Sequence, residues 1–130
     1  MIGLDTSALI DLFKNNTKLI ELLSILNEKS ILTRASYLEL LFGINPKEQK
    51  HLKEEEYFDE LFQQFDVLEL DKESSKRAAD IFWLLSEKGE TIDKFDCIIA
   101  GIYISNNVKK IITKNIKHFN KIPDLEIISY

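Results

Sequence analysis

The chain of 130 residues predicts one α/β domain spanning residues 1–130, with a mainly parallel central sheet and helices on both of its faces. Three observations carry this prediction. Apolar runs too short for helices recur along the sequence, segments with helical apolar spacing separate them, and no repeat, low-complexity tract or flexible linker divides the chain.

Met1, Ile2, Gly3 and Leu4 read as a strand that runs directly into Asp5, Thr6 and Ser7. Those three side chains offer N-cap oxygens to a helix over Ala8, Leu9, Ile10, Asp11, Leu12 and Phe13. Asn15, Asn16 and Thr17 interrupt it, and Leu19, Ile20, Leu22, Leu23, Ile25 and Leu26 then recur at helical spacing. Residues 30–33 predict a second strand, with Thr33 capping a helix that carries Glu39 and stops near Gly43 and Pro46. Leu52, Tyr57, Phe58, Leu61, Phe62 and Phe65 mark an amphipathic helix with an acidic outer face. A strand over 67–70 follows, and Asp71 opens a helix that Lys88 and Gly89 end. Residues 92–104 predict a mostly buried helix, and residues 110–113 and 126–128 the last strands. Trp83 and the other aromatic residues at helical spacing are expected in the core.

Hydrophobic residues at 45% and charged residues at 30% exclude a disordered chain. The longest strongly apolar stretch, residues 97–104, falls far short of the roughly 20 residues a membrane-spanning helix needs. The residues before Asp5 carry no basic n-region or small-residue cleavage site, so no secretory signal is expected; with Cys97 as the single cysteine, neither an intrachain disulfide nor a cysteine-bound zinc is expected, and a reducing cytoplasm is the expected home. The net charge of −5 argues against coating nucleic acid through bulk electrostatics. A local basic rim remains compatible with it, because Lys109, Lys110, Lys114, Lys117 and Lys121 crowd the last quarter.

The chemistry lies in three carboxylates at positions that would otherwise be apolar. Asp5 ends the first strand, Glu39 interrupts Leu38 and Leu40, and Asp96 interrupts Phe95 and Cys97. An ionised carboxylate is disfavoured in such surroundings unless a cation or hydrogen-bond donors compensate it. A shared divalent cation accounts for all three at once, and magnesium, with manganese as its substitute, needs only one or two protein carboxylates because it keeps several waters. Each acid also has a structural reading: Asp5 as an N-cap, Asp93 and Asp96 as a cap and a first-turn acid, Glu39 as part of a solvated face. His51 and His118 have no partner at ligand spacing and read as surface or rim residues. Ser7 and Ser36 lack any nucleophile-elbow context, and no glycine loop cradles phosphate.

Leu4-Asp5-Thr6-Ser7-Ala8-Leu9-Ile10-Asp11, Leu38-Glu39-Leu40-Leu41-Phe42-Gly43, Asp96-Cys97-Ile98-Ile99-Ala100 and Thr113-Lys114-Asn115-Ile116-Lys117-His118-Phe119 resemble, in order, the motifs of PIN domains. The closing Ile122-Pro123-Asp124-Leu125-Glu126 resembles the VapC-type toxins within that family. The resemblance implies a magnesium-dependent endoribonuclease, a homodimer, silenced by a VapB-type antitoxin. Asp5, Glu39 and Asp96 match the acidic centre and the implied metal ligands, and Asn115 matches a fourth position that is aspartate in many relatives. Ser7 stands where relatives often have asparagine. On this reading Asn115, Thr6 and Thr113 position waters or the scissile phosphate, while Arg34, Lys114 and Lys117 contact flanking phosphates of an RNA substrate. The alternative is a PIN fold that binds RNA or a protein partner without cutting. A haloacid-dehalogenase-type phosphatase would need a second aspartate where Ser7 stands, and a receiver domain would need paired acids beside the first strand.

Overall fold

Successive side chains of a strand point to opposite faces of its sheet, and here both faces are apolar. Ile31 belongs to one core and Leu32 to the other; Ile111 and Ile112 divide in the same way. A computed structural model, describing residues 1–130, shows how twelve elements build these two cores around one sheet.

The strands are β1 (Ile2–Leu4), β2 (Ser30–Thr33), β3 (Asp66–Leu68), β4 (Lys110–Ile112) and β5 (Glu126–Ile128). They lie in the order β3-β2-β1-β4-β5, all parallel, with Gly3 of the central strand paired to Ile31 on one side and Ile111 on the other. The helices are α1 (Thr6–Phe13), α2 (Thr17–Leu26), α3 (Arg34–Phe42), α4 (Gln49–Gln63), α5 (Lys72–Glu87), α6 (Lys94–Ser105) and α7 (Ile116–Phe119). Helices α1, α2 and α4 cover one face with Leu9, Leu19, Phe58 and Phe62, while α5 and α6 cover the other with Ile81, Leu85, Ile99 and Ile102. No helix is long and apolar enough to cross a membrane.

The caps expected from the sequence form. Asp5, Thr33 and Asp71 each accept a backbone N–H at the start of α1, α3 and α5, and Asp71 and Ser74 close a reciprocal capping box. Several expectations shift: β1 begins at Ile2, β4 ends at Ile112 rather than at 113, and among the aromatic residues expected in the core Phe42 and Tyr57 are exposed. The third strand spans 66–68 rather than 67–70, because Leu70 is half exposed and Glu69 turns outward to Arg34. The buried helix begins at Lys94, with Asp93 as its N-cap. Trp83 is 63% exposed and stands edge-on to Phe82 on the outer surface of α5, so it is not a core residue. Its neighbours at core spacing, Ile81 and Leu85, already fill the inward face. Helix α7 is an addition; at four residues it is too short to leave a periodic signal.

Helix α6 carries a buried wedge. Tyr103 lies across Gly3 so closely that a Cβ there would come within 2.6 Å of the ring, which is why β1 has glycine at its centre. The Tyr103 hydroxyl accepts the Leu4 N–H at 3.1 Å and sits 2.6 Å from the Leu4 carbonyl and 2.8 Å from the Ile31 carbonyl, within donating reach of both. It therefore replaces the ladder between β1 and β2 where they part, one residue before Asp5. On the opposite side of α6, a Cβ at Gly101 would lie 2.8 Å from the Ala78 nitrogen, so α5 and α6 pack backbone against backbone. Replacing Tyr103 by Phe leaves three buried backbone groups without this partner and is expected to lower the unfolding free energy by about 1–3 kcal/mol, measurable by urea denaturation.

Candidate functional site

In an open parallel sheet the strand carboxyl ends and the helix starts that follow them form a natural crevice. Asp5 and Thr113 extend β1 and β4 into that crevice, and α3, α6 and α7 line it with Glu39, Asp96 and His118. The backbone keeps Asp5 and Thr113 adjacent: the Asp5 N–H bonds the Ile112 carbonyl at 3.2 Å, and the Thr113 N–H the Ile128 carbonyl at 3.3 Å.

Asp5 is 1% exposed. Its Oδ1 accepts the Ala8 N–H at 2.9 Å and the Ser7 hydroxyl at 2.7 Å, while its Oδ2 accepts the Thr113 hydroxyl at 2.5 Å. Both hydroxyls are themselves fixed, since Ser7 Oγ accepts the Lys114 N–H at 3.0 Å and Thr113 Oγ1 accepts the Asn115 N–H at 2.8 Å. A hydroxyl has one proton to give, so each of these two directs its proton to Asp5. Burial pushes the Asp5 carboxyl above the ordinary range in spite of these donors.

Asp96 occupies the first turn of α6 and is 5% exposed. Burial is the main reason its pKa is pushed up to about 6, with the charge of Asp5 adding to the rise and the bond from His118 opposing it. That bond joins His118 Nδ1 to Asp96 Oδ2 at 2.7 Å. His118 sits at the rim, as expected, but it is not without a partner. It lies twenty-two positions after the acid it holds, and only the fold brings them together.

Glu39 has one oxygen, Oε1, that is buried with no hydrogen-bond partner. Burial raises its pKa first, and the charges of Asp93 and Asp5 raise it further. Thr6 is close enough to temper this rise, yet its hydroxyl is directed at Ser36 Oγ, 3.0 Å away. Ser36 is fully buried and also lies 3.4 Å from the Thr33 hydroxyl, so its part is structural. Asp93 caps α6 by accepting the Phe95 N–H at 2.8 Å, and it adds negative potential at Glu39 and Asp96.

The charge of Asp5 reaches both Glu39 and Asp96, and so does that of Asp93, while no three His, Cys, Asp or Glu side chains close into a tight cage. The orphaned Glu39 oxygen and the crowded acids fit a hydrated hard cation, which reaches some ligands directly and others through water. Asn115 stands at the start of α7 with its side chain exposed and free of any cap bond. Lys117 is exposed and enters no ion pair, leaving its ammonium available at the rim. Lys114 is engaged, its Nζ 3.1 Å from Asp11 Oδ2. Arg34 lies apart, at the β3 edge, where its Nε bonds both Glu69 oxygens at 3.0–3.1 Å and its guanidinium stacks over Tyr37.

Replacing Glu39 by Gln removes a charge that the protein does not compensate. Without divalent ions, E39Q is expected to lose no more than about 0.5 kcal/mol of unfolding free energy, the range of changes that remove no favourable interaction. Urea denaturation in chelator at neutral pH measures this; a loss of several kcal/mol would make Glu39 a structural residue.

Comparison with known proteins agrees with this architecture. The family model of the PIN domain matches residues 2–125. The VapBC2 complex of Rickettsia felis, bound to a DNA fragment from its promoter, aligns with a TM-score of 0.86 at 23% identity, covering 100% of this chain and 99% of the other. A DNA-bound VapBC of Salmonella typhimurium gives 0.85 at 22%, covering 98% and 96%. VapBC-1 of nontypeable Haemophilus influenzae gives 0.78 at 28%, covering 99% and 98%. No curated protein matches the sequence.

Proposed function

The chain belongs to the PIN domain family, and from that premise we propose that it is a metal-dependent endoribonuclease, the toxin of a VapBC-type toxin–antitoxin pair. The observation that carries the proposal is the buried Glu39 oxygen left without a donor, within reach of the charges of Asp5 and Asp93, in the crevice of a parallel sheet that also holds Asp96. PIN domains are generally nucleases, and solved structures that this chain resembles in fold are VapBC complexes.

On this reading Asp5 and Asp96 hold a magnesium or manganese ion, and Glu39 holds it through water or orients the attacking water. When bound, such an ion supplies a water of lowered pKa and neutralises charge that develops on the phosphodiester. Ser7, 2.7 Å from Oδ1 and 3.0 Å from Oδ2, and Thr113, which donates to Oδ2, keep the Asp5 carboxylate in one orientation. His118 does the same for Asp96. Asn115 and Thr6 hydrogen-bond waters or the scissile phosphate, and Lys117 grips a flanking phosphate, which sets position rather than sequence. Arg34 and Lys114 reach phosphate only by exchanging their carboxylate partners for it. Single-stranded or loop RNA suits a recessed site, because its backbone is not held in a duplex.

The partners on this reading are a VapB-type antitoxin and a second copy of the chain. Exposed apolar residues on α2 and α4, among them Ile20, Ile25, Leu52 and Tyr57, supply surface for them. The decisive experiment is RNA cleavage by the purified protein with magnesium, with chelator, and after Asp5→Asn or Asp96→Asn. Cleavage is expected to need the metal and to fall at least about 100-fold in each variant, the upper end of what even outer-shell partners contribute. Undiminished cleavage by either variant defeats the assignment, and RNA binding without cleavage by the wild type identifies the non-cutting alternative.

A further inference from the structure

Helix α1 presents two polar side chains on one face, Ser7 and Asp11, four residues and about one turn apart. Both hold the same residue. Ser7 Oγ accepts the Lys114 backbone N–H at 3.0 Å, and Asp11 Oδ2 lies 3.1 Å from the Lys114 ammonium. The side chain of Asp11 is only 10% exposed, and the same Oδ2 accepts the Tyr130 hydroxyl at 2.6 Å. Tyr130 follows β5, so the grip joins α1, the turn after β4 and the segment after β5. The Tyr130 hydroxyl, and after it the Lys114 ammonium, hold the Asp11 carboxyl below the usual range.

We propose that Asp11 and Tyr130 are positioning residues that fix the turn formed by Thr113, Lys114 and Asn115, and through it the orientation of the Asp5 carboxylate. The inference rests on the nuclease reading of the same site and adds two residues to it. Its chain of cause is short. With the turn fixed, the N–H groups of Lys114 and Asn115 occupy the acceptor sides of the Ser7 and Thr113 hydroxyls, and both protons are left pointing at Asp5. With the turn free, those hydroxyls can rotate, and Asp5 loses the two donors that hold its plane. The grip also commits the Lys114 charge to Asp11, whereas Lys117 enters no ion pair.

The test uses the full chain with Asp11→Asn and, as the milder change, Tyr130→Phe. In each variant kcat for RNA cleavage is expected to fall about 10-fold with KM unchanged, the lower end of the range for residues that orient a ligand. Amide hydrogen exchange at Lys114 and Asn115 should quicken about 10-fold, while exchange in the core strands stays as in the wild type, as for local opening. Unchanged kcat and unchanged exchange at these two amides overturn the proposal. So does a lower KM at constant kcat in Asp11→Asn, since that result makes Lys114 a phosphate ligand which Asp11 merely restrains. If Asp11→Asn does not fold, Tyr130→Phe decides by the same criteria. A wild-type protein that cuts no RNA defeats the nuclease reading, and amide exchange still decides the grip: quickening supports it and unchanged rates overturn it.

Discussion

Like charges repel more strongly where water is scarce, and this fold places Asp5, Glu39 and Asp96 in one poorly hydrated crevice with Asp93 on its margin. Each of the three acids is held mainly by burial in a state that opposes its ionisation. The protein's own donors do not offset that burial. Asp5 has three of them, Asp96 has His118, and Glu39 has an oxygen with none. The rest of the structure is the frame that keeps this arrangement from relaxing. On the proposed reading, a divalent cation would offset this repulsion.

The frame works by fixing backbones where the acids emerge. Tyr103 takes over the hydrogen bonds of β1 and β2 at the point where the strands part, so Asp5 leaves the sheet in a defined direction. Asp96 and Tyr103 are seven residues apart on α6 and share a face, which means that one helix both supplies an acid and secures the strand that supplies another. The tight packing of α6 on α5 at Gly101 and Ala78 anchors that helix from behind. Stability in the core is thereby coupled to geometry at the site, and the residues that carry the coupling are neither charged nor near solvent.

Much of this is legible in the sequence, because the governing signals are local. Apolar runs and helical spacing locate every strand and six of the seven helices, and the caps at Asp5, Thr33 and Asp71 follow from residue type alone. The acids stand out for the same reason, since each interrupts an apolar run. What stays hidden depends on contacts between distant segments. His118 gives no sign of a partner because Asp96 is twenty-two positions earlier, and no local pattern shows that the Ser7 hydroxyl, without a nucleophile's setting, serves instead as a donor to Asp5. Nothing local pairs Asp11 with Lys114 or Tyr130, or Arg34 with Glu69. Trp83 shows the limit of periodicity: it sits at helical spacing beside core residues, yet the helix turns it to the surface.

These carboxylates are, on the central claim, assembled for a doubly charged cation. Calorimetric titration of manganese into the metal-free protein at neutral pH tests it most directly, with Asp5→Asn and Asp96→Asn titrated in parallel. The expected result is a saturable binding isotherm for the wild type that weakens at least about 10-fold in each variant. Binding of equal strength in all three proteins, or no binding to the wild type, would contradict it.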